Sequence, residues 1–296
     1  NSILPDNRVR VNNNFFGSLN ALYKLKDNLS LRVNYNLFKD KLIRNESTNT
    51  RFIFNNQEIN INTAENFIKS PLINAGAYEL IYKINKKELL TSKGKVDYQK
   101  INSASSGFNN EDLFSNKTTS RDVFFNNKIE YTNRFKTSTV FQSSIEISSN
   151  DLPQNVNITT DLDNARQQID FKKNTLDINA SLLSKIKKSE YGIKLGYNFD
   201  ENFVNSDLQG ISFNNQNISN DVYYRISKPY LNLDYNHRLG QWNFIANIEN
   251  EIFNISLIDM NLDTDYNNSF YTINPSLTIQ HKLSKVSNLY TGYKLS

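Results

Sequence analysis

Cysteine is absent from the 296 residues, which excludes a disulfide framework, thiol catalysis and a Cys-ligated metal. Glycine (9) and proline (5) are scarce, and Met and Trp occur once each. No run approaches the roughly 18 apolar residues of a membrane-crossing helix. The mean hydropathy is −0.60. Neither fact bears on crossing by strands, whose hydropathy signal is far weaker. Net charge is also small: 34 Lys+Arg against 30 Asp+Glu gives +4, with the basic residues dispersed. That is no nucleic-acid footprint. Gly-x-Ser-x-Gly, His-Glu-x-x-His and Gly-rich phosphate loops are all missing, so no enzymatic activity and no cofactor are expected.

What the chain does have is uncharged polarity, mostly Asn and Ser, together with 16 Tyr and 19 Phe. Disordered chains are poor in aromatics, so this composition argues for a folded protein. Alternation with a period of two dominates. Leu29, Leu31, Val33, Tyr35 and Leu37 share one parity against Ser30, Arg32, Asn34 and Asn36. Leu176, Ile178, Ala180 and Leu182 repeat it, as do Tyr191, Ile193, Leu195, Tyr197 and Phe199. Only strand geometry puts such residues on one face.

Short polar segments separate these strands in pairs: 26–28, 85–87, 136–138, 185–188, 238–241 and 284–287. Between the pairs lie long polar stretches, 45–70, 102–120, 150–168, 205–220 and 259–269. The expected fold is all-β, an antiparallel meander of about twelve strands, with tight turns at one end and long loops at the other. Outer-membrane barrels sort their connections this way, with short periplasmic turns and long extracellular loops. A tilted transmembrane strand needs about 9–11 residues, which the alternating segments supply. Phe15, Tyr23, Tyr35, Phe135, Phe141, Tyr191, Phe199, Tyr235 and Trp242 fall near strand ends, where two interfacial aromatic girdles would lie. The opposite parity carries Arg32, Asn34, Asn36, Lys128, Glu130, Asp177, Asn179, Lys194, Asn232, Asp234, Asn247 and Glu249. A dry core could not hold these groups, so they are expected to face a wet or plugged lumen.

Leu4–Asn20, leading into the hairpin Tyr23–Tyr35, together with the Asn/Lys/Tyr-rich style, resembles the barrels of TonB-dependent-receptor-like outer-membrane proteins of the Bacteroidetes type. The resemblance implies a 22-stranded barrel in the cell outer membrane, plugged by an N-terminal domain. It also implies uptake energised by an inner-membrane coupling protein through a segment upstream, with a surface lipoprotein as a further partner. The chain begins without Met and ends in mid-alternation, so residues 1–296 are read as the barrel portion of a longer protein. The expected function is a transport barrel for a bulky nutrient such as a glycan, peptide or chelate. A passive porin or a secretion or assembly barrel is the alternative, and a secreted β-rich adhesin is a third reading.

Two weaker patterns complete the survey. Asp259, Asn261, Asp263 and Asp265 space oxygen ligands like the start of a calcium loop, but Thr264 stands where the loop needs Gly, and Phe270 where it needs Glu. Asp161 and Asp163 form a similar pair. His237 and His281 sit beside short turns and read as interfacial rather than metal-binding. Polar and aromatic stretches such as 51–57 and 212–217 would suit a glycan or peptide, or simple solvation.

Overall fold

The computed structural model describes residues 11–12, 14–54, 57–110, 112–160, 164–213, 216–283 and 287–295. Residues 4–10 and 13 of the segment that carries the resemblance, and the pair Asp161 and Asp163, lie outside them. Among the described residues fourteen strands form one antiparallel sheet. They are β1 (Val11–Asn12), β2 (Phe15–Lys26), β3 (Leu29–Lys39), β4 (Leu42–Phe54), β5 (Gln57–Lys83), β6 (Glu88–Asn109) and β7 (Asp112–Lys136). They continue as β8 (Thr139–Thr160), β9 (Asn164–Ile186), β10 (Ser189–Phe213), β11 (Gln216–Leu239), β12 (Trp242–Asp259), β13 (Thr264–Lys282) and β14 (Asn288–Lys294).

β3 and β4 pair with the same strand, β5, in one unbroken register, from Leu29↔Tyr82 through Lys39↔Leu72 to Leu42↔Lys69. The interruption lies opposite Pro71. Asp40 N–H donates to the Pro71 carbonyl at 3.0 Å, but proline has no N–H to return. β1 and β2 likewise share one register against β4 and β3. The fourteen strands therefore make twelve passes, in agreement with the expected meander. Neighbours in sequence are neighbours in space throughout.

The register carries the sequence alternation from pass to pass. Leu182 opposes Ile193, which opposes Leu233, which opposes Ile248. On the other parity Arg32 opposes Glu79, then Lys93, Lys128, Glu146 and Asp177 in succession. One face is thus apolar across the whole sheet and the other polar. Among the described residues no hydrophobic side chain is buried. The accessible surface is 20836 Å². A compact protein of this mass would expose about 13,000 Å². A single sheet with no second layer leaves its apolar face for an apolar solvent to cover.

The long polar stretches are not loops, and here the sequence-based expectation is corrected. β4 and β5 pair without interruption out to Phe54↔Gln57, and β10 and β11 pair out to Leu208↔Ile218 and, after a register shift, again at Phe213↔Gln216. The 45–70 stretch contains no glycine or proline to break its two strands, and its Thr and Ile residues favour extension. Ladder pairing also satisfies the backbone of these polar arms. β10, at 25 residues, is more than twice the roughly 9–11 that a bilayer requires. Its apolar segment Tyr191–Phe199 adjoins the short turn, and the remainder projects beyond.

At the short turn Lys187–Lys188, Lys187 holds φ at 53°, in the left-handed region. A Cβ there is unfavourable by about 1–2 kcal/mol. Lys187→Gly is expected to raise unfolding stability by about 0.5–1 kcal/mol after glycine's entropy is counted. A denaturant titration showing lower stability would contradict this reading of the turn.

Candidate functional site

The apolar belt is the turn-proximal part of each pass. On β10 it shows Tyr191, Ile193, Leu195, Tyr197 and Phe199, with Leu195 58 % exposed. Aromatic rings gather at its turn-side rim. Tyr191 and Tyr235 lie 5.2 Å apart between centroids, Phe135 and Phe141 6.3 Å, and Trp242 and His281 4.2 Å. Phe15, Tyr35 and Phe199 share the apolar face at the opposite rim. Rings with polar tips suit a boundary between hydrocarbon and water.

Both histidines belong to the turn-side rim. His237 Nδ1 shares a hydrogen bond with the Ser189 hydroxyl at 2.7 Å, and its ring stacks on Tyr235. Among the described residues no carboxylate is hydrogen-bonded to His237, so this Ser–His pair lacks the orienting acid of a nucleophilic triad. Nor do the histidines form part of a metal cluster; no group of three or more His, Cys, Asp or Glu that could hold a metal occurs among the described residues.

Asp259, Asn261, Asp263 and Asp265 do not converge on a common point. The Asp259 carboxylate accepts the backbone N–H groups of Asn261 (3.0 Å) and Leu262 (3.1 Å), closing a tight turn. The Asn261 amide donates to Ser219 O, and Asp265 accepts from Asn267. The Asp-x-Asn spacing serves a turn, as Asx residues commonly do.

All eight side chains singled out for the opposite face, Arg32, Asn34, Lys128, Glu130, Asp177, Lys194, Asp234 and Glu249, do share one face. They form no single cleft. Arg32 and Lys93 flank Glu79 at 3.3 and 3.0 Å. Lys128 meets Glu130 at 3.6 Å, Asn126 donates to Glu146 at 2.9 Å, and Asn247 donates to Asp234 at 2.7 Å. Lys194 lies over the Tyr230 ring at 5.5 Å. Half-exposed pairs of this kind contribute little stability each, about 0–1 kcal/mol. Their effect is to make a mixed-charge, wettable wall. The stacked pair Phe253 and Phe270, 4.8 Å apart, also belongs to this face and was not foreseen, because its parity is evident only from the register.

An outward cluster beyond the belt also escaped the sequence reading. Asn174, Tyr223 and Arg225 all bond to Glu201, on the same parity as the apolar belt but past its end. One ion pair and two polar side chains spread over three strands give no local sequence signal.

By sequence the chain matches no family model and no curated protein. By structure it is similar to outer-membrane barrels. The ferric citrate transporter FecA in its unliganded form aligns over 96% of this chain with a TM-score of 0.52 and 11% identity. A chain of the FpvAI–pyocin S2 complex aligns over 96% with a TM-score of 0.56 and 13% identity. The chain spans 44% and 40% of those two chains, less than half of each. At such identities the likeness establishes the fold: a membrane β-barrel wall.

Proposed function

We propose that the chain forms much of the wall of an outer-membrane transport barrel of the TonB-dependent-receptor kind, taking up a bulky nutrient such as a chelate, glycan or peptide. The observation that carries this reading is the sheet's two-sidedness. An apolar belt about as tall as a bilayer's hydrocarbon layer backs a continuous mixed-charge face, and paired polar arms extend well past the belt. The similarity to a ferric citrate transporter favours an uptake barrel over other large barrels. Among the described residues the sheet's edges, β1 with β2 on one side and β14 on the other, each pair on one side only. Lipid does not tolerate open edges, so in the membrane these strands meet further strands of the barrel. An inner-membrane energy-coupling protein, a surface lipoprotein and the Bacteroidetes type are part of the same proposal.

The test uses the full protein in a Gram-negative host. Cells are given labelled ferric chelates and oligosaccharides with and without an uncoupler, and the purified protein is placed in planar bilayers. Uptake that the uncoupler abolishes, with bilayers electrically silent, is the expected result. Steady ion conductance of the unmodified protein, with uptake indifferent to the uncoupler, would establish a passive pore or assembly barrel instead.

A further inference from the structure

The short-turn end of the polar face repeats one arrangement. In five successive hairpins a backbone N–H donates across to the preceding turn: Lys83 to Asn28, Arg134 to Lys87, Lys185 to Ser138, Arg238 to Lys188 and Lys282 to Gln241, at 2.7–3.0 Å. The residue in that position is basic every time. Strand parity turns all five side chains onto the polar face, since each stands an even number of residues from a group placed there, such as Glu79, Glu130, Asp177, Asp234 or Ser276. Lys24, opposite Ser30, adds a sixth.

Farther along the barrel wall, cations and carboxylates on this face are interspersed and paired. Here one sign prevails. Asp27 meets Lys24 at 2.9 Å and Glu190 meets Lys185 at 2.6 Å. The bond from Lys185 holds the Glu190 carboxyl below its ordinary range, so that pair stays ionised. Lys83, Arg134, Arg238 and Lys282 form no ion pair among the described residues.

Spacing decides what could engage them. The six cations stand on every second pass, about 10 Å apart at a strand separation of about 4.8 Å. A small anion reaches one of them at a time. An extended polypeptide in the polyproline II form rises about 3.1 Å per residue, so every third side chain advances about 9.3 Å. One further feature favours a polypeptide over another polyanion. An open cavity of about 520 Å³ between Arg134 and Lys185 has Val140, Leu183 and Ile245 in its lining, a seat for an apolar side chain.

We propose that this mouth is a docking collar for an extended acidic polypeptide segment, whose carboxylates lie across Lys83, Arg134, Arg238 and Lys282. The inference needs the polar face to line the barrel but does not depend on energised uptake.

The test measures binding of a fluorescent peptide with glutamate at every third position to the full protein in neutral detergent, by anisotropy at low salt. Saturable binding is expected, weakened at least about tenfold when Lys83, Arg134, Arg238 and Lys282 are all changed to Gln. Changing Lys39, Lys41, Lys100 and Lys172, which have the apolar-face parity, to Gln should leave it within about twofold. Circular dichroism of both variants verifies the folded state, and Lys83→Gln and Lys282→Gln singly provide milder versions. Absence of binding, equal losses from the two sets, or competition by polyphosphate as strong as by the peptide would each overturn the proposal.

Discussion

Replacing Leu195 by Arg is expected to lower barrel stability by about 2–4 kcal/mol, the range for a cation at the midplane of a lipid-facing strand. Leu195 is central in Tyr191–Phe199, opposite Ala180 and Leu231, and is 58 % exposed with no protein layer over it. Only hydrocarbon can accommodate it, and a guanidinium in its place would have to drag water or headgroups inward. Its chain neighbour gives the contrast. Lys194 points to the polar face, where its ammonium lies 5.5 Å from the Tyr230 ring. Lys194→Ala should lose no more than that cation–π contact, about 0.5–1 kcal/mol at an exposed site. Denaturant titrations in lipid vesicles measure both. Equal costs at 194 and 195 would refute the assignment of faces.

That contrast was legible in the sequence because burial on one side imposes strict alternation. The segments 29–37, 176–182 and 191–199 show it without help from the register. The long arms were misread for a physical reason: beyond the membrane both faces meet water, so hydropathy no longer alternates, and polarity alone resembles a loop. Scarcity of Gly and Pro was the available signal, since hairpin arms need few breaks. The eight polar-face residues could be assigned by parity, but their pairing could not. Arg32 and Lys93 meet Glu79 only because the register aligns residues from three passes. The calcium-like spacing at Asp259 arises because an Asx turn and a metal loop both begin with a carboxylate followed by exposed backbone N–H groups, and Thr264 and Phe270 already stood against the metal loop. The basic collar lay half in view. A Lys or Arg beside every short turn is plain in the sequence, and parity from Glu130, Asp177 and Asp234 already turns Arg134, Lys185 and Arg238 inward, but the recurrent N–H bond that puts one basic residue in the same place at each turn is not.

The apolar face also holds a polar group that alternation gave no reason to expect there, and it leads to the sharpest test of that face. Asn127 falls between Phe125 and Ile129, in the belt of β7, opposite Gly94. An amide facing hydrocarbon must find a partner. It finds one two strands away: the Tyr78 hydroxyl accepts a hydrogen bond from the Asn127 amide and shares another with the Ser92 hydroxyl at 3.0 Å. Gly94 makes this possible, because the Tyr78 ring lies where any Cβ at position 94 would be. Tyr78→Phe keeps the ring but removes the acceptor, leaving the Asn127 amide and Ser92 hydroxyl without it. The expected loss is about 1–3 kcal/mol, the desolvation penalty of an orphaned group. Asn127→Leu in the same chain should recover most of that loss, since removing both partners leaves only Ser92, whose hydroxyl can turn to its own backbone. Urea titration of the single and double variants in vesicles reads the difference directly. If Tyr78→Phe is neutral, or if Asn127→Leu deepens the loss, then Asn127 faces water rather than lipid, and the belt on β7 ends short of it.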